Sequence, residues 1–252
     1  GDGIAMALRA GATLQDMEFS QFLPAGLVWP PGLIGMIWTM DLRYHLGAWL
    51  LNKHGQRFMA KHDPERMELS TRDMISRGIV LEVLEGRGSP HGGVYMSVAH
   101  LPGNIIDEFI AERFPGYNFR GYNLLDYGIN LKRDAVEIAP VAHFFMGGIK
   151  IDEICHTGVP GLLAAGETTA GVNGANRIEG NALTETQVFG SISGETAAKD
   201  VQKMKSCPDV AAKDVKPYIA EYKKMFERKR GGDSYFALRN EIQKIMWESV
   251  GV

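Results

Sequence analysis

Residues 161–183 read GLLAAGETTAGVNGANRIEGNAL, and no other part of the chain is as informative. An apolar run starts at Gly161 and ends in Gly166-Glu167, which is typical of a fully buried strand. A loop rich in Gly and Asn then presents Arg177 ahead of a predicted helix over 183–200. Because ligands of α/β sheets bind at the carboxyl ends of strands, this stretch predicts a ligand site.

Two sets of atoms in the stretch suit a bound ligand. The carboxylate of Glu167 can accept hydrogen bonds from two neighbouring hydroxyl groups of a ribose or ribityl chain. The predicted helix start at Asn181-Ala182-Leu183 offers unpaired backbone N–H groups to a carbonyl oxygen or an anion. The pattern fits equally well a sharp connection between a strand and a helix in which Arg177 is a surface charge, so both interpretations stay open.

Composition restricts the class of protein. The chain has 252 residues, of which 45% are hydrophobic, enough to fill the core of one large domain or two smaller ones. Its 27 Lys and Arg nearly balance 30 Asp and Glu, so no basic field attracts nucleic acid. No run approaches the roughly 18 apolar residues of a membrane span, which predicts no direct membrane insertion.

Cysteine and histidine spacing narrows the chemistry. Cys155 and Cys207 form neither a disulfide framework nor a Cys-x-x-Cys pair, and the seven histidines lack partners at metal-ligand spacing. The sequence therefore predicts no metal site and a reducing compartment. No nucleophile motif and no P-loop is visible.

His143 is a candidate site residue. It lies among apolar and aromatic residues, just before Met146-Gly147-Gly148, whose glycines would allow a flat ligand to approach the backbone. A histidine among aromatic residues is more often a hydrogen-bonded core residue than a catalyst, and this alternative stays open.

Arg72 and Arg77 lie five residues apart around a predicted helix start. One of them can project into a cleft and hold a carboxylate through two hydrogen bonds. The alternative is a solvated ion pair with Asp73 or Glu82.

Periodicity predicts a mixed arrangement of helices and strands. Helices are predicted over 4–10, from Thr71 to 84, over 104–114 and over 183–200, with two more over 218–230 and 238–246. Strands are predicted over 17–22, where Pro24 ends the strand, and over 94–98, 136–138, 149–151 and 161–167. Residues 23–38 are predicted to be irregular, and Ile219, Tyr222 and Phe226 are predicted to face inward.

Six groups of residues recur together in one known family. They are Gly1-Asp2-Gly3 with 6–12, Asp16-Met17-Glu18-Phe19, Arg72-Asp73 with 85–88, His143 with 146–148, Gly166-Glu167, and 174–177 with 180–183. In order and spacing they resemble the flavoprotein subunit of the succinate dehydrogenase and fumarate reductase family. The segment 243–247 also resembles the start of that family's C-terminal helical domain.

The resemblance implies an α/β fold in which a partial FAD-binding domain carries an inserted α+β capping domain. The FAD-binding parts are 1–22 and 137–200, the capping domain is 23–136, and 201–252 form a linker and the start of the helical region. The resemblance also implies that the chain belongs to a longer protein, and the chain alone is expected to be inactive and to hold no FAD.

The family's activity is hydride transfer between flavin and a C=C bond conjugated to a carboxylate. The resemblance implies catalytic roles for Arg72, which exchanges a proton, and for His143 and Arg177, which also hold substrate carboxylates. It implies further substrate contacts from Thr39 and Arg43. The flavin contacts that it implies are Asp2, Glu167, Asn181, Ala182 and Leu183.

The same resemblance implies a dicarboxylate or similar small substrate and an iron–sulfur partner subunit. It implies a cytoplasmic location, peripheral to the inner face of the membrane through partner subunits.

The chain departs from the family pattern at three places. The Gly-x-Gly-x-x-Gly fingerprint and the histidine that binds FAD covalently in some members are absent. Leu23 and Ala25 replace the His and Thr of Gln-Phe-His-Pro-Thr, and Met40 replaces the Glu of Thr-Glu-Gly-x-Arg. These changes keep open a related flavoenzyme, similar to L-aspartate oxidase or adenylylsulfate reductase, and a non-catalytic capping module.

Two structural expectations follow. Residues 23–136 are expected to fold as a unit apart from the flanking segments, which must meet in space. Arg72, His143 and Arg177, as three potential cations, are expected to gather around an anion or water in one cleft.

Overall fold

The computed structural model describes residues 1–206, 209–227, 232 and 234–251. Its α-helices are α1 (Asp2–Arg9), α2 (Asp41–Tyr44), α3 (Met59–His62), α4 (Arg72–Leu84), α5 (Gly103–Arg113), α6 (Asn181–Lys203), α7 (Ala212–Glu227) and α8 (Tyr235–Val250). Its strands are β1 (Leu14–Gln15), β2 (Ser20–Leu27), β3 (Trp49–Leu51), β4 (Val94–Ser97), β5 (Asn118–Phe119), β6 (Tyr122–Asn123), β7 (Val136–Phe145) and β8 (Gly148–Ile149).

The largest sheet is antiparallel, with strand order β2-β7-β4-β3. Gln21 pairs with Phe144 and the next residue, Phe22, pairs with Ala142, so His143 is the extra residue of a β-bulge. Bulges redirect a side chain out of the alternating pattern of a strand. The bulge therefore turns the His143 side chain away from the direction that regular strand alternation would give it.

The prediction that Pro24 ends the second strand is wrong, because β2 continues to Leu27. A second register irregularity lies between Leu23 and Gly26. A proline is tolerated at such a bulge, where the ladder does not need its missing N–H. The predicted irregular segment 23–38 therefore begins with regular strand.

Two clusters of buried apolar residues form the core. The larger one includes Leu27, Ile75, Ile79 and Ile138, so that one face of α4 covers the sheet. The smaller one joins Ala7 of α1 to residues that include Ile149 and Leu162, which brings the start of the chain against 149–164.

The domain limits stay a prediction. The expected boundaries at 22/23 and 136/137 both fall within the β2–β7 ribbon, which runs continuously from one cluster toward the other.

Several predicted elements agree closely with the structure. Helix α4 starts directly after Thr71 and β4 occupies 94–97. Helix α5 differs from its predicted limits by one residue at each end, and α6 by two or three. These elements have clear periodicity and local start signals.

The predicted strand over 161–167 is wrong. In the described residues only Leu163 pairs with another segment, through an isolated bridge to His156, and Leu162 to Ala165 are partly exposed. A strand needs a continuous neighbouring strand for its ladder hydrogen bonds. Without one, the apolar run remains irregular.

Helix α7 is longer at its start than predicted and carries Pro217 within it. Its apolar residues do not face inward, since Ile219, Tyr222 and Phe226 are all exposed. Cys155 is buried, and Cys207 lies outside the described residues.

Among the described residues, no helix combines the length and apolar character needed to cross a membrane.

Gly147 and Gly148 serve contacts within the chain. A Cβ atom at Gly147 would overlap the carbonyl oxygen of Asp16, and one at Gly148 would overlap that of Thr168. The expectation that these glycines admit a flat ligand is therefore wrong at this point, because backbone of the same chain fills the space.

Gly147→Ala should lower the free energy of unfolding of the full-length protein by about 1–3 kcal/mol or more, because the opposing backbone cannot rotate away. Gly190→Ala is the matched control: it lies in α6 with nothing near its Cβ position, and should raise stability by up to about 1 kcal/mol. Denaturant unfolding measures both, and an equal effect of the two substitutions would contradict the packing account.

An ion-pair cluster ties α6 to the preceding loop. His156 Nε2 lies 2.7 Å from Asp200 Oδ2, and its Nδ1 lies 3.4 Å from Asp152 Oδ2. The Asp200 hydrogen bond, followed by the charges of both carboxylates, raises the pKa of His156, while His156 in turn lowers the pKa of Asp200.

The stabilisation from this cluster should be complete below the ordinary histidine pKa of about 6.5 and disappear as the pH rises through the raised pKa. On the acid side it should disappear as the pH falls through the lowered pKa of Asp200. The melting temperature of the full-length protein should therefore exceed that of His156→Asn at about pH 6 but not at about pH 9. His54→Asn, at another exposed histidine, is the control, and a pH-independent difference would contradict the ion pair.

Candidate active site

The side chain of Gln21, near the start of β2, connects three segments. Its Nε2 donates to Asn176 Oδ1 at 3.0 Å and to the carbonyl oxygen of Arg177 at 2.7 Å. Its Oε1 accepts from Arg72 Nη1 at 3.3 Å. Gln21 is only 4% exposed, so these hydrogen bonds fix β2, the first residue of α4 and the loop before α6 relative to one another.

His143, the bulged residue of β7, bridges the same segments. Its Nδ1 lies 3.1 Å from the carbonyl oxygen of Gln21, and its Nε2 lies 3.3 Å from Arg177 Nη2. A guanidinium group only donates, so Nε2 must accept and Nδ1 must carry the proton. This arrangement requires a neutral imidazole ring.

Electrostatics favour the same state. Burial, and then the positive charges of Arg72 and Arg177, lower the pKa of His143 below its usual value. Of the three potential cations expected in the cleft, His143 is therefore kept neutral by its neighbours.

Arg72 lies where the Gln21 network opens to the surface. Its side chain is 11% exposed, and its Nη2 pairs with Glu179 Oε1 at 2.8 Å. Arg77, one and a half turns later in α4, is exposed. Of the two arginines at this helix start, Arg72 is the one that projects into the cleft.

The guanidinium group of Arg177 packs against an aromatic ring. Its guanidinium carbon lies 4.2 Å from the ring centroid of Phe144, and Nη1 donates to the carbonyl oxygen of Ile178. Its Nε is buried and has no hydrogen-bond partner in the described residues. Burial, and then the charge of Arg72, lower the pKa of Arg177.

Arg43 is completely buried in the short helix α2. Its Nη2 donates to the hydroxyl of Tyr44 at 2.9 Å, while Nε and Nη1 have no partner in the part of the chain that the structure describes. Burial lowers the pKa of Arg43. Arg43 does not itself line the cleft, but its hydrogen-bond partner Tyr44 does.

Thr39 is not brought into these contacts. Its Oγ1 accepts from the backbone N–H of Asp41 at 3.2 Å and so supports the turn before α2. The three positions that depart from the family pattern are filled by apolar packing: Leu23 and Ala25 are buried in the larger cluster, and Met40 packs against it.

A cavity of about 300 Å³ lies in front of these groups. Its lining includes Tyr44, Arg72, Asn176, Arg177 and Glu179. Within the described residues, Glu179 is the only acidic side chain that forms an ion pair with Arg43, Arg72 or Arg177. Two lining arginines, Arg72 and Arg177, against one contacting carboxylate leave an excess of positive charge, so the cavity suits an anion.

A larger groove of about 630 Å³ lies on the other side of β7. Apolar walls from Met17 and Phe145 line it together with Glu167 and Thr168. The Thr168 hydroxyl is buried without a partner in the described residues, and Glu167 Oε1 accepts from the backbone N–H of Phe145 at 3.0 Å. The groove therefore combines a flat apolar wall with unused polar groups.

Two helix starts supply further donors near these cavities. Helix α1 begins at Asp2, which is exposed beside the groove-lining Gly1 and Gly3. Helix α6 begins at Asn181 and has no side-chain cap, although the backbone N–H groups of Asn181 and Leu183 donate to the carbonyl oxygens of Ile178 and Gly180. The positive end of a helix dipole favours anionic or carbonyl oxygens.

The three residues predicted to contact flavin at the start of α6 differ in their local contacts. Asn181 Nδ2 donates to Asn173 Oδ1 at 2.7 Å, and Asn173 Nδ2 donates to Glu185 Oε2 at 2.6 Å. Glu185 is buried, and its other carboxylate oxygen has no partner in the described part of the chain. Ala182 and Leu183 lie in the first turn of α6, where Leu183 is exposed.

Four residues of these networks were not predicted as site residues: Gln21, Asn176, Glu179 and Glu185. The family motifs include Gln21 and Asn176 but give them no role, and no local pattern marks Glu179 or Glu185, because the roles of all four depend on contacts that form only in the folded chain. In the described ranges, no three His, Cys, Asp or Glu side chains are grouped to hold a metal ion.

A family model described as "FAD binding domain" matches residues 1–183. The chain belongs to this family. FAD is accordingly the cofactor of the full-length protein, and the groove beside β7, with its apolar wall and unused polar groups, fits part of such a molecule.

The relatives are flavoproteins. Over 254 residues the chain is 41% identical to a fumarate reductase (CoM/CoB) subunit of Methanothermobacter marburgensis, with all of this chain and 44% of that protein covered. It is 35% identical to L-aspartate oxidase of Pseudomonas aeruginosa, with 100% and 43% covered.

Among solved structures, Mycobacterium smegmatis Sdh1 in complex with UQ1 superimposes with a TM-score of 0.78 at 35% identity. The match covers 100% of this chain and 41% of that chain. The mixed helix and strand arrangement is thus that of a flavoprotein of the succinate dehydrogenase and fumarate reductase type. The chain spans under half the length of these relatives.

His143 should remain neutral in the full-length protein until the pH falls below the usual histidine range near about 6.5. NMR titration of the imidazole ring measures this directly. Arg177→Gln should shift the pKa of His143 upward, because it removes one of the charges that lower it. A titration of His143 at or above the ordinary histidine value of about 6.5 would contradict the assigned hydrogen bonds.

Proposed function

We propose that the full-length protein is an FAD-dependent oxidoreductase that transfers a hydride between flavin and the C–C or C=C bond of a dicarboxylate-type substrate. This chain would supply the substrate site and part of the FAD site. The observation that carries this proposal is a cavity lined by Arg72 and Arg177, with the buried Arg43 behind the lining residue Tyr44. Arg43 and Arg177 have buried N–H groups without partners among the described residues.

An unpaired buried guanidinium costs several kcal/mol, because the lost hydration is not replaced. Arg43 and Arg177 both carry this cost in the described structure. A ligand with two carboxylates would supply the missing acceptors and offset the positive charge. Carboxylate oxygens also match the planar donor geometry of guanidinium groups.

Each side chain has a distinct role in this proposal. Arg43 and Arg177 bind and orient the substrate carboxylates, and their charges polarise the bond between them. His143 accepts from Arg177 at Nε2 and so holds that guanidinium in place. Arg72, nearly excluded from water and fixed by Gln21, holds the proton that is exchanged with the substrate carbon at its Nη atoms.

FAD, when bound, supplies the group that accepts or donates the hydride. We assign Glu167, Thr168 and the starts of α1 and α6, with Asp2 and Asn181, to its binding. Ala182 and Leu183 would contribute backbone rather than side-chain contacts.

The proposal extends to partners. Relatives such as the Methanothermobacter protein are named as subunits, and we propose that the electron partner of this one is an iron–sulfur protein subunit. Any association with a membrane would then be peripheral and indirect.

Arg72→Lys should reduce dicarboxylate turnover by the full-length, FAD-loaded protein by about 100- to 10,000-fold, which is the usual range for loss of a positioned acid or base. Flavin content should be unchanged, because Arg72 lies outside the groove of Glu167 and Thr168. Arg77→Lys, on the same helix but exposed, is the matched control and should retain the parent rate. Turnover of Arg72→Lys within a few-fold of the parent would remove Arg72 from the mechanism.

The alternative of a non-catalytic capping module makes a separate prediction. The FAD-loaded full-length protein would then reduce no dicarboxylate. Fumarate reduction by a reduced dye, with the flavin content verified by visible absorption, distinguishes the two.

A further inference from the structure

Glu179 is an unexpected residue in a cavity that suits an anion. It lies between Arg177 and the start of α6, next to Gly180, whose φ of 85° turns the chain sharply there. The turn carries the Glu179 side chain across to α4, where Oε1 meets Arg72 Nη2 at 2.8 Å. A carboxylate thus already contacts the arginine that the proposed function assigns to the substrate.

The two partners differ strongly in exposure. The Arg72 side chain is 11% exposed, whereas the Glu179 side chain is 60% exposed. The exposed end of the pair can therefore move into water at little cost, while the arginine stays fixed by its second hydrogen bond to Gln21. Exposed ion pairs of this kind contribute little net free energy, so an incoming anion can displace Glu179.

The charge of Glu179 reaches the whole cluster. It acts on Arg43, on His143 and on Arg177 as well as on its direct partner. Glu167 and Glu185 act on Arg177 too, but neither forms an ion pair with the three arginines among the described residues. Glu179 is therefore the acidic side chain best placed to compete with a bound carboxylate.

We infer that Glu179 is a specificity-determining residue: it is the internal counter-ion of Arg72, it occupies the position of a substrate carboxylate, and it sets the affinity of the site for dianions. This inference rests on the proposed function. It assigns Glu179 to binding, as a group that must leave Arg72 before a dicarboxylate can reach it, and not to proton transfer.

Removing the competing charge should tighten the binding of a dianion. The test uses the full-length, FAD-loaded protein and malonate, a dicarboxylate that has no C=C bond to reduce. By isothermal titration calorimetry, Glu179→Gln should bind malonate about threefold to tenfold more tightly than the parent, because a nearby like charge is lost and Arg72 is freed. The KM for fumarate should fall in the same direction.

Glu195→Gln is the matched control. Glu195 is an exposed glutamate on α6 that pairs with Lys199, away from the cavity, and its substitution should leave malonate affinity unchanged. The visible spectrum of the bound flavin verifies that each variant is folded and loaded.

The other outcomes separate the two proposals. Equal malonate affinity for the parent and a flavin-loaded Glu179→Gln protein would overturn the counter-ion role and leave the proposed function standing. A fall in kcat without a gain in malonate affinity would also overturn it, because Glu179 would then act in turnover. If malonate binds to neither protein, the proposed function fails and this inference fails with it.

Discussion

The candidate site depends on the buried amide of Gln21. Its three hydrogen bonds join β2, the first residue of α4 and the loop before α6. Gln21, Arg72 and Asn176 lie more than fifty positions apart in the sequence. The backbone carbonyl of the same residue fixes His143. Because a buried amide must satisfy its donors and acceptor, it accepts only one arrangement of these segments, and the arginines are positioned as a consequence.

Charge is the second constraint on the site. The charges of Arg72 and its partner Glu179 both act on Arg43 and on Arg177. The neutral state of His143 avoids a fourth positive charge. One contacting carboxylate and two aromatic rings, those of Tyr44 and Phe144, pack against this cluster. Such a group of buried positive charges lowers the stability of the fold when no ligand is present, but it suits the binding of an anion.

The parts of the fold that follow from local signals could be predicted. Helix α4 and helix α6 have clear apolar spacing and recognisable starts, and the positions of Arg72 and Arg177 follow from them. The resemblance to a flavoprotein family added His143. Gln21 and Glu179 could not be predicted, because they act through contacts with distant segments, and the bulge at His143 depends on the register of two strands. The run 161–167 misled the prediction for a related reason, since an apolar segment becomes a strand only beside another one.

The most direct test of this account is a crystal structure of the full-length protein with FAD and malonate. We predict that malonate lies between Arg43, Arg72 and Arg177, with carboxylate oxygens about 3 Å from their nitrogens, that Gln21 keeps its contacts, and that Glu179 has moved away from Arg72. Malonate bound elsewhere, with the three arginines paired only to protein groups, would contradict the central claim.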